Sequence, residues 1–293
     1  MATISVVIIT KNEAANIADW VIEYITGVKR IDRILNKQIP LTHQQEQLLE
    51  RFSLDLLQHK PIQYVLHEAW FAGMKLYVDE NVLIPRPETE ELVEWVVKEV
   101  SGLQFPVFGL KVTDANSKFK ISNLQLLDIG TGSGCIPIAL KKKISSAFIS
   151  AIDISAAALE VAKRNAAEQQ TEIMFRQLDI LNRDEWKQLS QFDIIVSNPP
   201  YIKQNEAGQM HSNVLEHEPH LALFVPNDDA LLFYKTIAAF GLKHLNKNGK
   251  LFFEINETLG NDVCELLQQY GYKNIELKKD MQGKERMIKA ILQ

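Results

Sequence analysis

The stretch Leu124-Gln-Leu-Leu-Asp-Ile-Gly-Thr-Gly-Ser-Gly134 decides the fold of this chain. Its first six residues are mostly apolar and predict a β-strand, and an apolar helix is predicted after the glycines. Glycines at positions 130, 132 and 134 let the backbone turn sharply and come close to a bound molecule. A strand, a glycine-rich turn and a helix in this order predict the first unit of an open α/β sheet, where ligands bind beyond the carboxyl ends of the strands.

The rest of the C-terminal part repeats this alternation. Strands are predicted over 124–129, 147–153, 172–178, 192–197 and 250–255, with helices over 156–168 and 231–245. Strands that alternate with helices predict a mostly parallel sheet with right-handed crossovers. The tail differs, because 272–278 and 286–292 flank Asp280-Met-Gln-Gly283 and predict an antiparallel hairpin at the sheet edge.

Helical periodicity dominates the first part of the chain. Apolar residues fall on one face of a helix around Ile17–Ile25 and of a second around Leu48–Leu57, which Thr42 and Gln45 can cap; a short basic helix is predicted over Val28–Asn36. Ala69–Val78 predicts a small β-hairpin. We therefore divide the chain into a helical domain with a hairpin (1–85), a linking helix and loop (86–122) and the sheet domain (123–293).

Composition narrows the class of protein further. The 293 residues are 46% hydrophobic and 24% charged, which are ordinary globular values. No apolar run approaches the roughly 20 residues that cross a bilayer, and two cysteines, Cys135 and Cys264, suit a reducing cytosol. The net charge of −5 argues weakly against a general nucleic-acid binder and leaves a local basic patch open. We expect a cytoplasmic protein, with a monomer as the default.

Polar side chains end the predicted strands on either side of the glycine turn. Asp153 follows the turn by about 20 residues, the spacing at which an acid can bind both ribose hydroxyls. Asp179 ends the third strand, where an adenine amino group could reach it. Each acid could instead cap a helix, and the glycines could form a plain turn. Together with Gly130-Thr-Gly-Ser-Gly134 they resemble the S-adenosylmethionine site of class I methyltransferases.

The tetrapeptide Asn198-Pro199-Pro200-Tyr201 after the fourth strand is the most specific feature. Two prolines fix an extended backbone without N–H donors, so its carbonyl oxygens are free to accept hydrogen bonds. The Asn198 amide oxygen can accept as well, and Tyr201 supplies a flat face. These groups predict a socket for a planar group that carries an NH₂, although a rigid turn is the simpler interpretation. Two acceptors would align a weakly nucleophilic nitrogen and stabilise its growing positive charge.

The chain resembles the bacterial peptide chain release factor glutamine methyltransferases from about Ala14 to its C-terminus. The resemblance rests on the tetrapeptide, the glycine loop, Gln63-Tyr64, Val82-Leu-Ile-Pro-Arg-Pro-Glu-Thr-Glu90 and Val214–Ala222. It implies a helical domain that recognises the release factor and a seven-stranded, Rossmann-like class I methyltransferase domain. That domain would modify the glutamine of the factor's Gly-Gly-Gln motif and convert S-adenosylmethionine to S-adenosylhomocysteine.

The same resemblance implies roles for single residues. The cofactor-binding residues would be Gly130, Thr131, Gly132, Ser133, Gly134, Asp153, Asp179, Ile180 and Asn198; the catalytic residues, which also bind the glutamine, would be Asn198, Pro199, Pro200 and Tyr201. Ile180 stands where family members can carry an aromatic residue, so no aromatic stack on adenine is expected there. Arg86 and Glu88 match a family motif that either orients the domains or contacts substrate.

Several alternatives stay open. The tetrapeptide is shared with adenine-N6 nucleic-acid methyltransferases, and a non-catalytic cofactor-binding protein is a third candidate. No metal site is predicted, because the spacing of His211, His217 and His220 fits no zinc pattern. Ile4–Asn16 resembles the opening strand of nucleotide-sugar glycosyltransferases, but no Asp-x-Asp motif follows. We expect Met1–Thr10 to add no strand to the main sheet.

Overall fold

Helices precede a region in which helices and strands alternate. The computed structural model describes residues 11–36, 40–102 and 123–293. The helices are α1 (Lys11–Thr26), α2 (Arg30–Leu35), α3 (His43–Leu57), α4 (Ile62–Leu66), α5 (Pro87–Ser101), α6 (Cys135–Lys143), α7 (Ala156–Glu168), α8 (Ser212–His217), α9 (His220–Leu223), α10 (Leu232–His244) and α11 (Gly260–Gln269). The strands are β1 (Ala69–Phe71), β2 (Met74–Leu76), β3 (Gln125–Ile129), β4 (Phe148–Asp153), β5 (Met174–Gln177), β6 (Phe192–Ser197), β7 (Ile202–Lys203), β8 (Phe224–Val225), β9 (Leu245–Glu254), β10 (Lys273–Lys279) and β11 (Glu285–Ile291).

The main sheet has seven strands in the order β10-β11-β9-β6-β3-β4-β5. The five strands from β9 to β5 are parallel, and β11 pairs antiparallel with both β9 and β10. This confirms the predicted α/β class, the parallel sheet and the antiparallel hairpin at its edge. β9 begins at Leu245, earlier than the predicted Lys250, because pairing with β6 starts at Phe192 and resumes after a register shift.

Alternating residues of the central strands face two apolar layers. Leu126, Val196 and Phe252 pack with α5 and α6, whereas Leu127, Ile195 and Phe253 pack with α10 and α11. Successive side chains of a strand point to opposite faces, so each central strand is covered on both sides. The sheet is thereby held between helices, and its carboxyl edge is left for loops.

The N-terminal helices have a small core of their own. It is formed by Val21, Ile25, Phe52, Ile62, Val65 and Leu66. Thr42 and Gln45 form the predicted capping box at the start of α3. α4 was not predicted, because five residues are too few to show a helical period.

The predicted β-hairpin is present as β1 and β2. Its buried side chains Phe71, Met74 and Leu76 pack into the layer beneath the main sheet, together with Leu92 of α5. The expectation for Met1–Thr10 lies outside the described residues, as does the part of the predicted loop 101–122 that follows residue 102; Ser101 itself is the last residue of α5. Within the described ranges, no helix has the length and apolar character needed to span a membrane.

Candidate active site

The carboxyl ends of four parallel strands place the candidate residues side by side. A row of paired residues crosses β4, β3, β6 and β9: Ile152, Ile129, Ser197 and Phe253. The next residue on each strand is, in spatial order, Asp153, Gly130, Asn198 and Glu254. Strand register therefore brings together groups that lie far apart along the chain.

The glycine turn carries the chain from β3 into α6. Gly130, Gly132 and Gly134 all have positive φ, which side-chain-bearing residues rarely adopt. At Gly134 a Cβ would also lie 3.1 Å from the Cβ of Ala162 on α7. The first two glycines line the largest cavity at this edge, whereas Gly134 serves helix packing.

Asp153 ties the second strand end to the glycine turn. Its Oδ2 accepts a hydrogen bond from the Gly132 backbone N–H (2.9 Å) and its Oδ1 accepts one from Ser155 N–H (2.9 Å). Burial raises the pKa of Asp153, and these two N–H groups partly offset that rise. Ser155, not Asp153, caps α7.

Asp179 lies in the loop after β5. Its Oδ1 accepts from the Leu181 N–H (2.9 Å), which closes a local turn and caps no helix. Neither acid is therefore a helix cap, which was the simpler alternative for both.

A cavity of about 180 Å³ lies above these strand ends. The predicted cofactor residues that line it are Gly130, Gly132, Asp153, Asp179, Ile180 and Asn198. Thr131, Ser133 and Gly134 do not line it. Phe233 of α10 and Asn81, which were not predicted as site residues, also line this cavity. Val82 and Leu83 line it too, and they belong to the segment Val82–Glu90 on which the family resemblance rests.

Buried polar atoms without partners lie beside the glycine turn. Both carboxylate oxygens of Asp128 and the hydroxyl oxygens of Thr131 and Ser133 make no hydrogen bond to the described residues. Burial raises the pKa of Asp128 to about 7, and the nearby Asp153 carboxylate adds to the rise. Buried polar groups without partners cost free energy, and none of these three residues lines the cavity.

Asn198 and Pro199 separate the first cavity from a second one of about 140 Å³. In addition to these two residues, the second cavity is lined by Leu83, Arg86, Tyr201, Ile202, Met210, Val214, Ala222 and Leu223, of which Leu83 and Ala222 also line the first. Burial raises the pKa of the Tyr201 hydroxyl, which therefore stays protonated. Of the predicted tetrapeptide, Pro200 lines only the first cavity and Tyr201 only the second.

Behind the tetrapeptide, a hydrogen-bond chain leads into the protein. Asn198 Nδ2 donates to Thr89 Oγ1 (3.4 Å), and the Thr89 hydroxyl donates to Glu254 Oε2 (2.6 Å). Burial raises the pKa of Glu254 to about 7. Glu254 was not predicted as a site residue. Its sequence context could have indicated one, because it is an acid within the apolar strand Leu251-Phe-Phe-Glu-Ile255.

Arg86 and Glu88 lie at the start of α5, beside the second cavity. Arg86 Nη2 forms a 2.6 Å ion pair with Glu218 Oε1, whose side chain is 1% exposed. Arg86 therefore both joins two segments and lines the cavity. Glu88 accepts a hydrogen bond from Gln282 (3.3 Å).

The histidines near Glu218 bind backbone groups. His217 and His220 contact the carbonyl oxygens of Gln58 and Leu215 at 3.0 and 2.8 Å. Across the part of the chain that the structure describes, no group of three or more His, Cys, Asp or Glu is arranged to hold a metal ion.

Family models and named proteins match both the helical part and the sheet part of the chain. Residues 103–221 match the family model described as Methyltransferase small domain, and residues 9–66 match the PrmC N-terminal domain. A protein of Flavobacterium psychrophilum named Release factor glutamine methyltransferase is 46% identical over 270 residues, covering 92% of this chain and 89% of that protein. A protein of the same name from Bacteroides thetaiotaomicron is 41% identical over 264 residues, covering 90% and 87%.

Solved structures share the fold. The catalytic domain of hMettl16, in complex with the MAT2A 3′UTR hairpin 6, has a TM-score of 0.53 at 16% identity and covers 75% of each chain. The delta-N METTL16 MTase domain has a TM-score of 0.51 at 18% identity, covering 75% of this chain and 89% of that one. At such identities the likeness shows the fold alone, and it confirms the predicted class I methyltransferase architecture.

Proposed function

Because the chain belongs to the family of release factor glutamine methyltransferases, we propose that it methylates the side-chain amide nitrogen of a glutamine in a peptide chain release factor. The methyl donor is S-adenosylmethionine, and the acceptor is the glutamine of the Gly-Gly-Gln motif. The relatives' names do not favour the adenine-N6 alternative.

One observation carries this proposal: Asn198 and Pro199 line both cavities. Leu83 and Ala222 also line both, but among the four shared residues Asn198 alone has a polar side chain, so a group in the smaller cavity meets one in the larger cavity beside its amide. The Asn198 side-chain oxygen and the Pro199 carbonyl oxygen are acceptors, and an amide NH₂ has two donors to match them. This pairing suits the neutral glutamine side chain.

The residues present also fit the cofactor. S-adenosylmethionine carries hydroxyl and amino groups, which need acceptors, and Asp153 and Asp179 supply carboxylates in the wall of the larger cavity. When bound, the cofactor supplies an electrophilic methyl group on a sulfonium.

The protein's part in the reaction is alignment. Asn198 and Pro199 hold the two N–H bonds, which directs the amide nitrogen at the methyl group and stabilises the positive charge that grows on it. A nitrogen held in this way would take the methyl group as the carbon–sulfur bond of the bound cofactor breaks, with the electron pair left on sulfur. The nitrogen then releases one proton to solvent. Pro200 and Tyr201 hold the glutamine side chain of the release factor in place.

We assign recognition of the release factor to the N-terminal helices. The match of residues 9–66 to a family-specific domain supports this, as does the separate core of these helices. We keep the division into 1–85, 86–122 and 123–293, and we propose a monomer that acts in the cytoplasm without nucleic acid.

The experiment compares the wild type with Asn198→Ala. Each enzyme is incubated with S-adenosylmethionine and a purified release factor, and mass spectrometry locates the added CH₂ on a glutamine. We expect the variant to lose about 10²–10³-fold in rate, the cost of removing one preorganised hydrogen-bonding group. Asn246→Ala is the matched control, because Asn246 bonds Asp193 at the opposite end of the sheet. Undiminished methyl transfer by Asn198→Ala would refute the mechanism. Methylation of DNA or RNA in place of the release factor would favour the adenine-N6 nucleic-acid methyltransferase.

A further inference from the structure

Thr89 and Glu254, which continue the hydrogen bonds from Asn198 into the protein, have no assigned part in binding either reactant. All three residues come from different segments: Thr89 from the first turn of α5, Asn198 from the end of β6 and Glu254 from the end of β9. The register that pairs Ser197 with Phe253 sets Asn198 beside Glu254, and Thr89 spans them.

The orientation of the Asn198 amide decides whether the site can work. One end of the amide is an acceptor and the other a donor. With the oxygen toward the second cavity, Asn198 accepts an N–H from the substrate. With the NH₂ turned there, two donors face each other and the substrate amide is repelled.

Thr89 can distinguish these two orientations. Its hydroxyl has a single proton, and that proton is donated to Glu254 over 2.6 Å. Thr89 Oγ1 can then only accept from Asn198, which requires the amide to present Nδ2 and leaves Oδ1 for the cavity.

We propose that Thr89 is a positioning residue for methyl transfer, holding the Asn198 amide oxygen toward the acceptor cavity through a chain anchored on the buried carboxylate of Glu254. The inference rests on the proposed function, since it assigns Asn198 the role of acceptor. Thr89 and Glu254 are 3% and 2% exposed, so water does not compete for these bonds.

The hydrogen bonds that link Asn198, Thr89 and Glu254 can run in either direction, depending on whether Glu254 is ionised or protonated. With Glu254 ionised, the carboxylate accepts and the chain holds the productive orientation. With Glu254 protonated, the acid can donate to Thr89, whose proton then turns to Asn198 and draws the amide oxygen away from the cavity. Burial raises the pKa of Glu254 to about 7, and hydrogen bonding by Thr89 lowers it. The charged and titratable groups that face Glu254 are Arg286 of β11, Glu88 and Arg86 at the start of α5, Tyr201, Tyr234 of α10 and Cys135 of α6.

The test uses the full chain with S-adenosylmethionine and a release factor. Thr89→Val removes the hydroxyl at nearly constant shape, and Thr89→Ser keeps it. We expect kcat of Thr89→Val to fall about tenfold, equivalent to about 1.4 kcal/mol of activation free energy. The dissociation constant of S-adenosylmethionine should stay unchanged, and kcat of Thr89→Ser should stay within about threefold of the wild type, because the hydroxyl is kept. Thr171→Val is the matched control, since its hydroxyl bonds a helix carbonyl away from the site.

The pH profile separates positioning from a merely structural role. In the wild type kcat should fall on acidification through about pH 7, and in Glu254→Gln this limb should be absent, because the group that titrates is gone. If Thr89→Val does not fold, the pH profiles of the wild type and Glu254→Gln test the proposal by themselves. The inference is overturned if Thr89→Val keeps wild-type kcat, if Thr89→Ser is as impaired as Thr89→Val, or if Glu254→Gln keeps the limb. If the wild type itself transfers no methyl group to the factor, the proposed function fails first and the inference falls with it.

Discussion

The ion pair between Arg86 and Glu218 gives the sharpest test of how the site is held together. It joins two segments 132 positions apart that both border the second cavity. Arg86→Met keeps most of the side-chain volume and removes the charge. Glu218 then stays buried at 1% exposure, with only the Ile84 N–H at 3.4 Å to stabilise its carboxylate.

The magnitude follows from burial. Removing one partner of a fully buried pair costs about 3–5 kcal/mol, because the remaining charge is uncompensated. The Arg86 side chain is 34% exposed, so solvent already weakens the pair and we expect a loss of about 2–3 kcal/mol in the free energy of unfolding. Glu218→Gln should cost about 1 kcal/mol, since the freed Arg86 can turn to water and the amide still accepts from Ile84.

The assay is a double-mutant cycle by urea unfolding at constant pH. The double variant carries no buried charge, so it should be more stable than the sum of the single losses predicts, with a coupling of about 1–2 kcal/mol. Methyl transfer by both single variants should fall, because the pair fixes Arg86 in the cavity wall. Additive losses within about 0.5 kcal/mol would refute the reasoning, since they would mean that the two side chains do not interact.

Two further predictions concern buried acids and the glycine turn. Without cofactor, the free energy of unfolding should fall by about 2 kcal/mol for each of Asp128 and Glu254 as pH rises from about 5 to about 7, because the folded state holds protons that the unfolded chain releases. Urea titrations at both pH values measure the free energy of unfolding. The prediction is contradicted if the variant that carries both Asp128→Asn and Glu254→Gln loses as much stability between these pH values as the wild type does. Gly134→Ala should lose about 1–3 kcal/mol, and more than Gly130→Ala, because only its Cβ would crowd Ala162. Thermal unfolding of the two variants compares them, and equal losses would show that backbone strain alone acts.

The sequence predicted elements best where a local pattern is complete. β6 and α7 have the predicted bounds, Phe192–Ser197 and Ala156–Glu168, because a buried apolar strand ends at two prolines and a serine caps the helix. The capping box at Thr42 is likewise a short-range signal. By contrast, α4, α8 and α9 have four to six residues each and were not predicted, because fewer than about two turns leave a weak period. The six-residue α2 is the exception, since it lies within the helix predicted over Val28–Asn36.

The site was predicted in part for the same reason. Gly130, Asp153 and Asn198 follow recognisable strands, and parallel pairing brings them to one edge. The partnership of Thr89 with Glu254 spans 165 positions, and no local pattern records it. The cavity wall from Phe233 is also a product of tertiary packing. The assignment of binding roles to these residues remains a prediction.

The packing of the hairpin has a consequence for exchanging parts between relatives. Phe71, Met74 and Leu76 fill the layer under the main sheet, so a chimera whose crossover lies after the hairpin would import foreign side chains into that layer. A crossover near His67, which ends α4 with a φ of 53°, leaves the layer intact. Tyr64 is the residue that such a chimera must retain, because its hydroxyl donates to the Val82 carbonyl oxygen over 2.6 Å. A graft of the N-terminal helices onto this sheet would thus have to keep the Tyr64 bond, the contact of His217 with the Gln58 carbonyl oxygen and the ion pair of Lys60 with Glu80.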